Sequence, residues 1–242
     1  DDLPKIIEEI QTDVIPEVLA QFPGVSVQFE GQSREQEKML GSMIIAFSVA
    51  FLCMLILMVL VFRSYAQAVV IFSLIPIGII GAIWGHGIQG IQISLLSAIG
   101  VMALSGVIVN DSIVLVDQMN RYLRDGQKME DAVFNAGLAR LRPILLTTLT
   151  TSLGMAPLIL ETSRQAQFLI PMAASIAYGL MFGSFILLIL LPCQILALNT
   201  IRLKVMSLFF QGTYTRESVE PAVKELKNNL VFSDDGKETE HV

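Results

Sequence analysis

The sequence predicts an all-α polytopic membrane bundle of about five transmembrane helices, with a small α+β piece at its N-terminus. Three observations support this fold class. Of the 242 residues, 53% are apolar, and the mean hydropathy is +0.65, which is far higher than a soluble domain of this size needs. No Asp or Glu occurs between Glu37 and Asp111. The apolar residues fall into five runs, and a helix of about 20 apolar residues crosses a hydrocarbon core about 30 Å thick.

The first segment, residues 1–36, is predicted to be part of an α+β domain. Residues 3–21 have the pattern of a helix, and "VSVQFEG" alternates as a strand after a Phe-Pro-Gly turn. The apolar residues with helical spacing are Ile6, Ile7, Ile10 and Val14. The opening "DDLPKIIEEI" has no feature of a signal peptide, so we interpret the chain as a fragment of a longer protein.

Residues 37–202 are predicted to form the transmembrane domain. The five spans are expected at 41–62, 67–88, 92–117, 143–160 and 168–200. The last span is too long for one straight crossing, and Pro171 and Pro192 indicate where it begins and where it bends or stops. Before the fourth span, a turn at Asp125 and Gly126 and an apolar face predict a short helix at the membrane interface. The apolar residues of that face are Met129, Ala132, Val133 and Ala136.

Lys and Arg residues are concentrated in alternate loops. They follow the first, third and fifth spans, at Arg63, at Arg121, Arg124, Lys128, Arg140 and Arg142, and at Arg202 and Lys204. The other two loops contain only Arg164. The positive-inside rule therefore places residues 1–40 outside and the tail, residues 203–242, in the cytoplasm. The tail contains one amphipathic series, Val219, Val223, Leu226 and Leu230, and we expect it to be partly disordered.

The most unusual feature is the Asn-Asp-Ser triplet in "GVIVNDSIVLVD", residues 106–117. An ionised Asp inside the bilayer costs at least about 2.5 to 3.5 kcal/mol, so it should face the bundle interior or a water path. Asp117 and Arg121 mark the interface better, and Asp111 lies roughly 9 Å deeper along the helix. Asp111 is therefore a candidate functional residue. The alternative is that its side chain reaches the headgroups, or that it is a neutral structural acid.

Polar and small side chains surround this triplet in the sequence. Asn110 lies two helical turns from Asp117 and shares its face with Gly106, and the small residues there would let a neighbouring helix approach closely. The fourth span supplies hydroxyl groups, with Arg140 and Arg142 at its entry. Together these are the parts of a proton or ion relay. Alternatively, the hydroxyl groups bond to their own helix and the arginines only hold the loop inside.

Other residues and motifs give little indication of chemistry. His86 is interpreted as a loop residue outside the site, and Cys53 and Cys193 as small hydrophobic residues. The sequence has no Gly-rich Lys-Ser/Thr loop, no Gly-x-Ser-x-Gly and no His/Glu metal pattern. We therefore expect no catalytic residues, no cofactor, no bound metal and no nucleic-acid partner, and a bilayer as the main surroundings.

Three strings carry a resemblance to a known family: "FRSYAQAVVIFSLIPIGIIGAIWG", "GVIVNDSIVLVD" and "ARLRPILLTTLTTSLGMAPLIL". They resemble the carboxy-terminal half of resistance-nodulation-division (RND) efflux transporters of the acriflavine-resistance, AcrB-like type, over about residues 3–204. "RLRPILLTT", beginning at Arg140, is the most specific string, because it resembles the start of the family's eleventh helix. The resemblance implies that the five spans are helices 8 to 12, and that residues 1 to about 33 end a periplasmic porter domain.

The resemblance also implies partners and a relay. The partners would be the amino-terminal half of the same protein, two further protomers of a homotrimer in the bacterial inner membrane, a periplasmic adaptor and an outer-membrane channel. In the family, an Asp pair on helix four faces a Lys on helix ten. Asn110 matches that Lys, Asp111 its polar neighbour, Thr147 the relay Thr of helix eleven, and Arg140 the Arg at its foot. The Lys itself is absent, and Asn110 offers only hydrogen bonds.

The relay is therefore predicted to consist of Asp111, Asn110, Thr147 and Arg140, with Ser105, Gly106 and Thr148 supporting helix packing. The function implied is a secondary active exporter of drugs or other amphiphiles, an antiporter driven by the proton motive force. Two alternatives remain: an RND-related transporter of lipids, metals or protein segments, and a non-transporting membrane subunit in which the triplet only specifies helix packing.

Overall fold

A computed structural model describes residues 6, 9–21, 32–209 and 215–226 of the chain. All the regular structure in these ranges is helical, and the predicted all-α bundle is confirmed. The strand predicted at "VSVQFEG" lies outside the described residues, as does the end of the tail that we expect to be disordered. The chain divides into two compact units, residues 1–46 and 47–242, and each is described by itself.

The first unit contains the helix predicted for residues 3–21, of which the described part is confirmed. It consists of a π-helical turn, Ile10–Val14, which continues as α1, Ile15–Gln21. The apolar side chains of Val14 and Val18 are exposed. The predicted domain boundaries at residues 36 and 202 stay predictions.

The second unit is the helical bundle. Its helices are α2 (Gln32–Phe62, which begins in the first unit), α3 (Tyr65–Phe72), α4 (Ile75–Gln89), α5 (Leu95–Arg124), α6 (Met129–Ile159) and α7 (Arg164–Phe209). Four helical stretches among the described residues are long and apolar enough to cross a membrane: Met39–Phe62, Tyr65–Gln89, Leu95–Arg124 and Arg164–Leu208. The protein is therefore a multi-pass membrane protein.

The fourth predicted span, 143–160, is helical within α6 almost to its end, but it is not among these four stretches. Its hydroxyl side chains, together with Pro143 and Pro157, make it the least apolar of the five. Its place as a membrane crossing stays a prediction.

Two helices run further than the sequence predicts. The short interface helix is not separate, because α6 continues from Met129 through Pro143. Similarly, α7 continues through both Pro171 and Pro192, so neither proline ends it, which is where the prediction was wrong. A proline costs a helix one backbone hydrogen bond, and neighbouring helices inside a membrane bundle can compensate for that loss.

Close contacts between α4 and α7 lie at the centre of the bundle. A Cβ atom added at Gly81 would lie 2.5 Å from Cβ of Phe182, and one added at Gly85 would overlap Tyr178. Small residues at this spacing let two helix backbones approach closely where lipid gives no hydrophobic driving force. By contrast, the apolar stretch of α2 is mostly exposed, and Met58 and Phe62 are its buried members.

The ends of α5 fix the position of the Asn-Asp-Ser triplet. Its N-terminus is held by a capping box in which Ser94 accepts from the Ser97 N–H and Ser97 accepts from the Ser94 N–H. Its C-terminus closes at Asp125, and Gly126 takes the left-handed φ of +85° that a turn to α6 needs. The predicted turn at Asp125 and Gly126 is confirmed, and Asp111 lies near the middle of a helix of 30 residues.

Candidate ion-binding site on α5 and α6

Asp111 is buried in the middle of α5. Its side chain is 8% exposed, and its Oδ2 atom has no hydrogen-bond partner among the described residues. The next residue, Ser112, is fully buried but donates to the Ile108 carbonyl at 2.7 Å. Asn110, in contrast, is exposed on the surface of this half of the bundle. The triplet thus contains one polar group that is satisfied, one on the surface, and one carboxylate oxygen that is buried and free.

A contact between α5 and α6 sets the register of the two helices. Arg140 Nη2 donates to Gln118 Oε1 at 3.0 Å. Gln118 follows Asp111 by seven residues and so lies on the same face of α5, about 10.5 Å along the axis. Since consecutive helices joined by a short turn run antiparallel, seven residues beyond Arg140 on α6 return to the same depth. Asp111 is therefore level with Thr147 and Thr148.

These two threonines differ in their surroundings. Thr147 is exposed, and its hydroxyl donates to the Ile144 carbonyl at 2.9 Å. Thr148 is 5% exposed, and its Oγ1 atom has no hydrogen-bond partner among the described residues. The alternative that the hydroxyls bond to their own helix therefore fits Thr147 but not Thr148. From the sequence, Thr148 was predicted only to support helix packing. Its burial, which the structure shows, makes it a candidate site residue.

The remaining predicted residues are placed as follows. Arg140 is partly buried, and its Nε atom lacks a partner within the described ranges. Ser105 is buried and donates to the Met102 carbonyl at 2.7 Å. A Cβ atom at Gly106 would meet nothing within 4 Å, so the close helix approach predicted there does not occur between the described helices. The close approaches are at the α4–α7 interface and, on α5 itself, at Gly100, where an added Cβ atom would lie 2.6 Å from the Met172 carbonyl oxygen of α7. The packing role of Gly106 stays a prediction.

The described part of the chain shows no hydrogen bond or ion pair that joins Asp111 to Asn110, Thr147 or Arg140. At one depth it contains the free carboxylate oxygen of Asp111 and the free hydroxyl group of Thr148. The Arg140 guanidinium, which has one free N–H, lies two helical turns away along α6. A carboxylate oxygen in such surroundings can accept a proton or bind a small cation, because both remove the cost of an unpaired buried charge. Gln118, which the sequence analysis did not single out, links this face to Arg140.

His86 lies elsewhere, and the prediction that it is a loop residue was wrong. It belongs to the last turn of α4, which continues to Gln89 and ends at Gly90 with φ of +65°. The imidazole is 4% exposed, and its two nitrogens contact the Ala82 carbonyl and the Ser97 hydroxyl, both at 2.9 Å.

An apolar cavity of about 550 Å³ lies beside His86. The residues that line it are Phe47, Phe51, Phe72, Ile75, Pro76, Ile79, Ala82, Ile83, His86, Ile93, Ser97, Ala98, Val101, Met102, Ser105 and Ser175. The few polar side chains among them are His86 and three serines. Of these, His86 and Ser97 bond to each other, Ser105 bonds to Met102, and Ser175 donates to the Ser97 carbonyl at 3.1 Å. The wall of the cavity therefore offers an almost wholly apolar surface.

Two solved structures share the fold. Both are X-ray structures described as a heavy metal efflux pump, in crystal forms II and I, with TM-scores of 0.64 and 0.60 and 22% sequence identity. Each similarity covers 79% of this chain but only 20% and 19% of the solved chain, so this chain spans about a fifth of that length.

The sequence itself matches the profile of the AcrB/AcrD/AcrF family over residues 5–198, which is most of the chain. The matched region includes α2 to α6 and most of α7, together with every residue of the candidate site. The resemblance noted from the three sequence strings is thereby confirmed at the level of the family. The chain belongs to the AcrB/AcrD/AcrF family of RND efflux transporters.

Proposed function

We propose that the intact protein is a secondary active exporter that couples an ion gradient to the outward movement of drugs or other amphiphiles, with Asp111 as a coupling residue. It would act in the bacterial inner membrane as a homotrimer, with a periplasmic adaptor and an outer-membrane channel. The basic loops at Arg63, Arg121 and Arg202 would face the cytoplasm, and the N-terminal segment would face the periplasm. No covalent chemistry or bound cofactor is part of this proposal.

The observation that carries the proposal is the free Oδ2 atom of Asp111. A buried carboxylate in a membrane helix costs at least about 2.5 to 3.5 kcal/mol, and ionisable residues in such positions mark ion pathways. The register of α5 and α6 adds a free hydroxyl, that of Thr148, at the same depth. Binding a proton or cation would relieve the cost, so the charge on Asp111 can alternate with the conformation of the helices around it.

The coupling ion is proposed to be the proton, with Na⁺ as the rival. In the family pattern, a Lys would neutralise the negative charge of nearby acids, but this chain has Asn110 at that position. Asn110 is exposed on the same half of the bundle and can donate and accept hydrogen bonds without carrying charge. A site without the Lys is less strictly tied to protons, which is why both ions belong in the test.

The apolar cavity favours amphiphiles over metals as substrates. Its wall contains a single imidazole, and both nitrogens of that imidazole are already engaged. A metal site would need several nitrogen, sulfur or carboxylate ligands around one point. Metal export is the second candidate, because two solved structures of similar fold are described as a heavy metal efflux pump.

The test uses the intact protein reconstituted in liposomes, with an imposed pH or Na⁺ gradient. Transport of a fluorescent amphiphilic cation is compared with transport of Zn²⁺ and Cu⁺. We expect the amphiphile to move only while a pH gradient is present, and to stop when a protonophore collapses it. If only the metal ions are transported, metals and not amphiphiles are the substrates. If transport requires a Na⁺ gradient, the coupling ion is Na⁺ and not the proton. Movement of neither class under any gradient would contradict the proposal and favour a non-transporting subunit.

A further inference from the structure

The chain returns to the basic end of the bundle after α7. We use "basic end" for the end that carries Arg63, Arg124 and Arg202. Residues 215–226 pack there, with residues 221–226 helical. Val219 and Ala222 are 3% and 4% exposed, and Val223 packs against the apolar core. The amphipathic pattern predicted for Val219 and Val223 is confirmed, and this part of the tail belongs to the folded unit. Leu226, predicted to continue the series, is exposed, and Leu230 lies outside the described residues.

Glu220 is the most deeply buried charged residue of this segment, at 1% exposure. Its Oε1 atom accepts from Asn199 Nδ2 at 2.7 Å. Its Oε2 atom accepts from Arg202 Nη1 at 2.8 Å and from Gln67 Nε2 at 3.4 Å. Both carboxylate oxygens are therefore engaged, by two side chains of α7 and one of α3.

The partners of Glu220 extend the network to further helices. Gln67 Nε2 also donates to Asn120 Oδ1 on α5, at 3.5 Å. Arg202 Nη2 donates at 2.6 Å to Ser64 Oγ, the cap of α3. All four of these side chains are buried or partly buried. One carboxylate of the tail thus sits at the junction of α3, α5 and α7.

Two further glutamates of the segment reach the rest of the basic end. Glu225 pairs with Arg63 at 3.3 Å and with Arg124 at 3.4 Å, which bridges the α2–α3 connection and the end of α5. Glu217 accepts from the Met129 N–H at 3.1 Å, at the first turn of α6. Arg216 pairs with Glu130 of the same turn. The short segment therefore contacts α3, α5, α6 and α7 and the α2–α3 connection.

We propose that residues 215–226 are a clasp, locked by Glu220, which holds the basic ends of α3, α5, α6 and α7 in one arrangement and opens when those ends move apart. The buried polar network supports an opening clasp and not a permanent joint. Gln67 Oε1 and Asn199 Oδ1 are buried without a donor among the described residues, and a buried network that is only partly satisfied is less stable than a complete one. That the ends move during transport rests on the proposed function, whereas the clasp itself does not.

The test measures access to the buried side of the clasp in the intact protein, in permeabilised membranes. In a background with Cys53→Ser and Cys193→Ser, Ala222→Cys places a thiol under the clasp and Lys224→Cys places one on its exposed side. We expect maleimide to label the position-222 thiol at least about tenfold more slowly than the position-224 thiol, because labelling requires local opening. Adding Glu220→Ala should remove most of that difference, whereas Glu225→Gln, at a more exposed pair, should change it little.

A second measurement needs no cysteine. Trypsin cleavage after Lys224 also requires the backbone to open locally, so Glu220→Ala should speed it by about tenfold in the otherwise unchanged chain. Equal labelling of the two thiols in the parent protein would overturn the clasp, and so would protection that survives Glu220→Ala. Asp111→Asn serves as the separate arm. If that variant loses transport while the labelling rates stay unchanged, the result supports the coupling role of Asp111 and leaves the clasp intact.

Discussion

Asp111 and Glu220 are both buried carboxylates of one helical bundle, yet their surroundings are opposite. Glu220 is 1% exposed, and both its oxygens accept hydrogen bonds from Arg202, Asn199 and Gln67. Asp111 is 8% exposed, and its Oδ2 atom has no partner among the described residues. The network around Glu220 compensates its charge, whereas nothing described around Asp111 compensates a charge there. A compensated carboxylate suits a structural lock, and an uncompensated one suits a site whose charge changes.

A similar contrast in packing separates the α4–α7 interface from the face that carries Asp111. Near the α4–α7 interface, glycines meet neighbouring side chains at the limit of contact, as at Gly81. Near Asp111, Gly106 meets nothing within 4 Å, and Asn110 and Thr147 are exposed. The bundle is therefore closely packed at the α4–α7 interface and open on the face that carries the candidate site.

The largest effect is expected from removing the cation that compensates Glu220. Arg202→Ala should lower the free energy of unfolding by about 3 kcal/mol, since breaking one partner of a buried pair leaves the other charge unpaired. The control is Arg63→Ala, because Arg63 is 70% exposed and its pair with Glu225 should contribute less than about 1 kcal/mol. Denaturant unfolding of the intact protein in detergent measures both. Equal losses of unfolding free energy in the two variants would contradict the conclusion that the buried pair contributes more than the exposed one.

A smaller loss is expected at the α4–α7 contact. Gly81→Ala should cost about 1 to 3 kcal/mol, because the added methyl group would lie 2.5 Å from Cβ of Phe182. Gly87→Ala in the same helix is the matched control, since nothing lies within 4 Å there and alanine favours a helix by roughly 0.5 to 1 kcal/mol. Thermal unfolding should separate the two variants in opposite directions, and a stabilised Gly81→Ala variant would refute the close contact.

Thr147 and Thr148 of α6 allow the candidate site to be tested by transport rate. Thr148→Val keeps the shape of the side chain but removes its buried hydroxyl, which has no hydrogen-bond partner among the described residues. We expect that hydroxyl to bond to the ion-loaded site during transport, and one such hydrogen bond is worth about 1 kcal/mol, or about fivefold in rate. Thr147→Val should have less effect, because that hydroxyl already bonds to the Ile144 carbonyl. Initial rates of amphiphile efflux at matched protein levels compare the two. A larger loss of efflux rate in Thr147→Val would instead support Thr147 as the relay residue, as the sequence predicts.

The smallest effect concerns Glu217 at the start of α6. Its pKa lies below the ordinary value of 4.5: partial burial raises it, but the Met129 N–H, its own N–H, Thr215 and Arg216 together lower it further. A depressed pKa stabilises the folded state above the ordinary value, and this stabilisation is lost as the pH falls through the folded-state pKa. Glu217→Gln should therefore cost only about 0.3 kcal/mol at pH 7 after solvent screening. The difference from the parent should shrink as the pH falls below 4.5, as unfolding measured at pH 7 and at successively lower pH would reveal.

Hydropathy and the spacing of charges were enough to predict the bundle and most of its spans, because lipid demands apolar helices of a set length. The helix ends were harder to predict. Pro171 and Pro192 indicated where the last span begins and where it bends or stops, but α7 continues through both. The interface helix was predicted to be separate from the fourth span, but both belong to α6. His86 looked like a loop residue because Gly and Gln surround it, and only its bonds to Ala82 and Ser97 show that it belongs to α4.

The candidate site could be predicted only in part. Asp111 stands out in the sequence because a lone acid in an apolar run has a known cost. Which threonine of α6 faces inward depends on the rotation of that helix, and the burial of Thr148 shows this, whereas the sequence pattern does not. Glu220 could not be found in advance, because its partners Gln67, Asn199 and Arg202 come from distant parts of the chain.

The most direct test of the account is gradient-driven efflux by Asp111→Asn, compared with Asp117→Asn in the same helix. Asp117 is a partly exposed carboxylate paired with Arg121 at 2.9 Å, so it controls for the loss of one negative charge from α5. At equal amounts of folded protein in liposomes, Asp111→Asn should lose nearly all amphiphile transport driven by a pH gradient, and Asp117→Asn should keep most of it. Equal transport by the two variants, with an unchanged dependence on the gradient, would contradict a coupling role for Asp111.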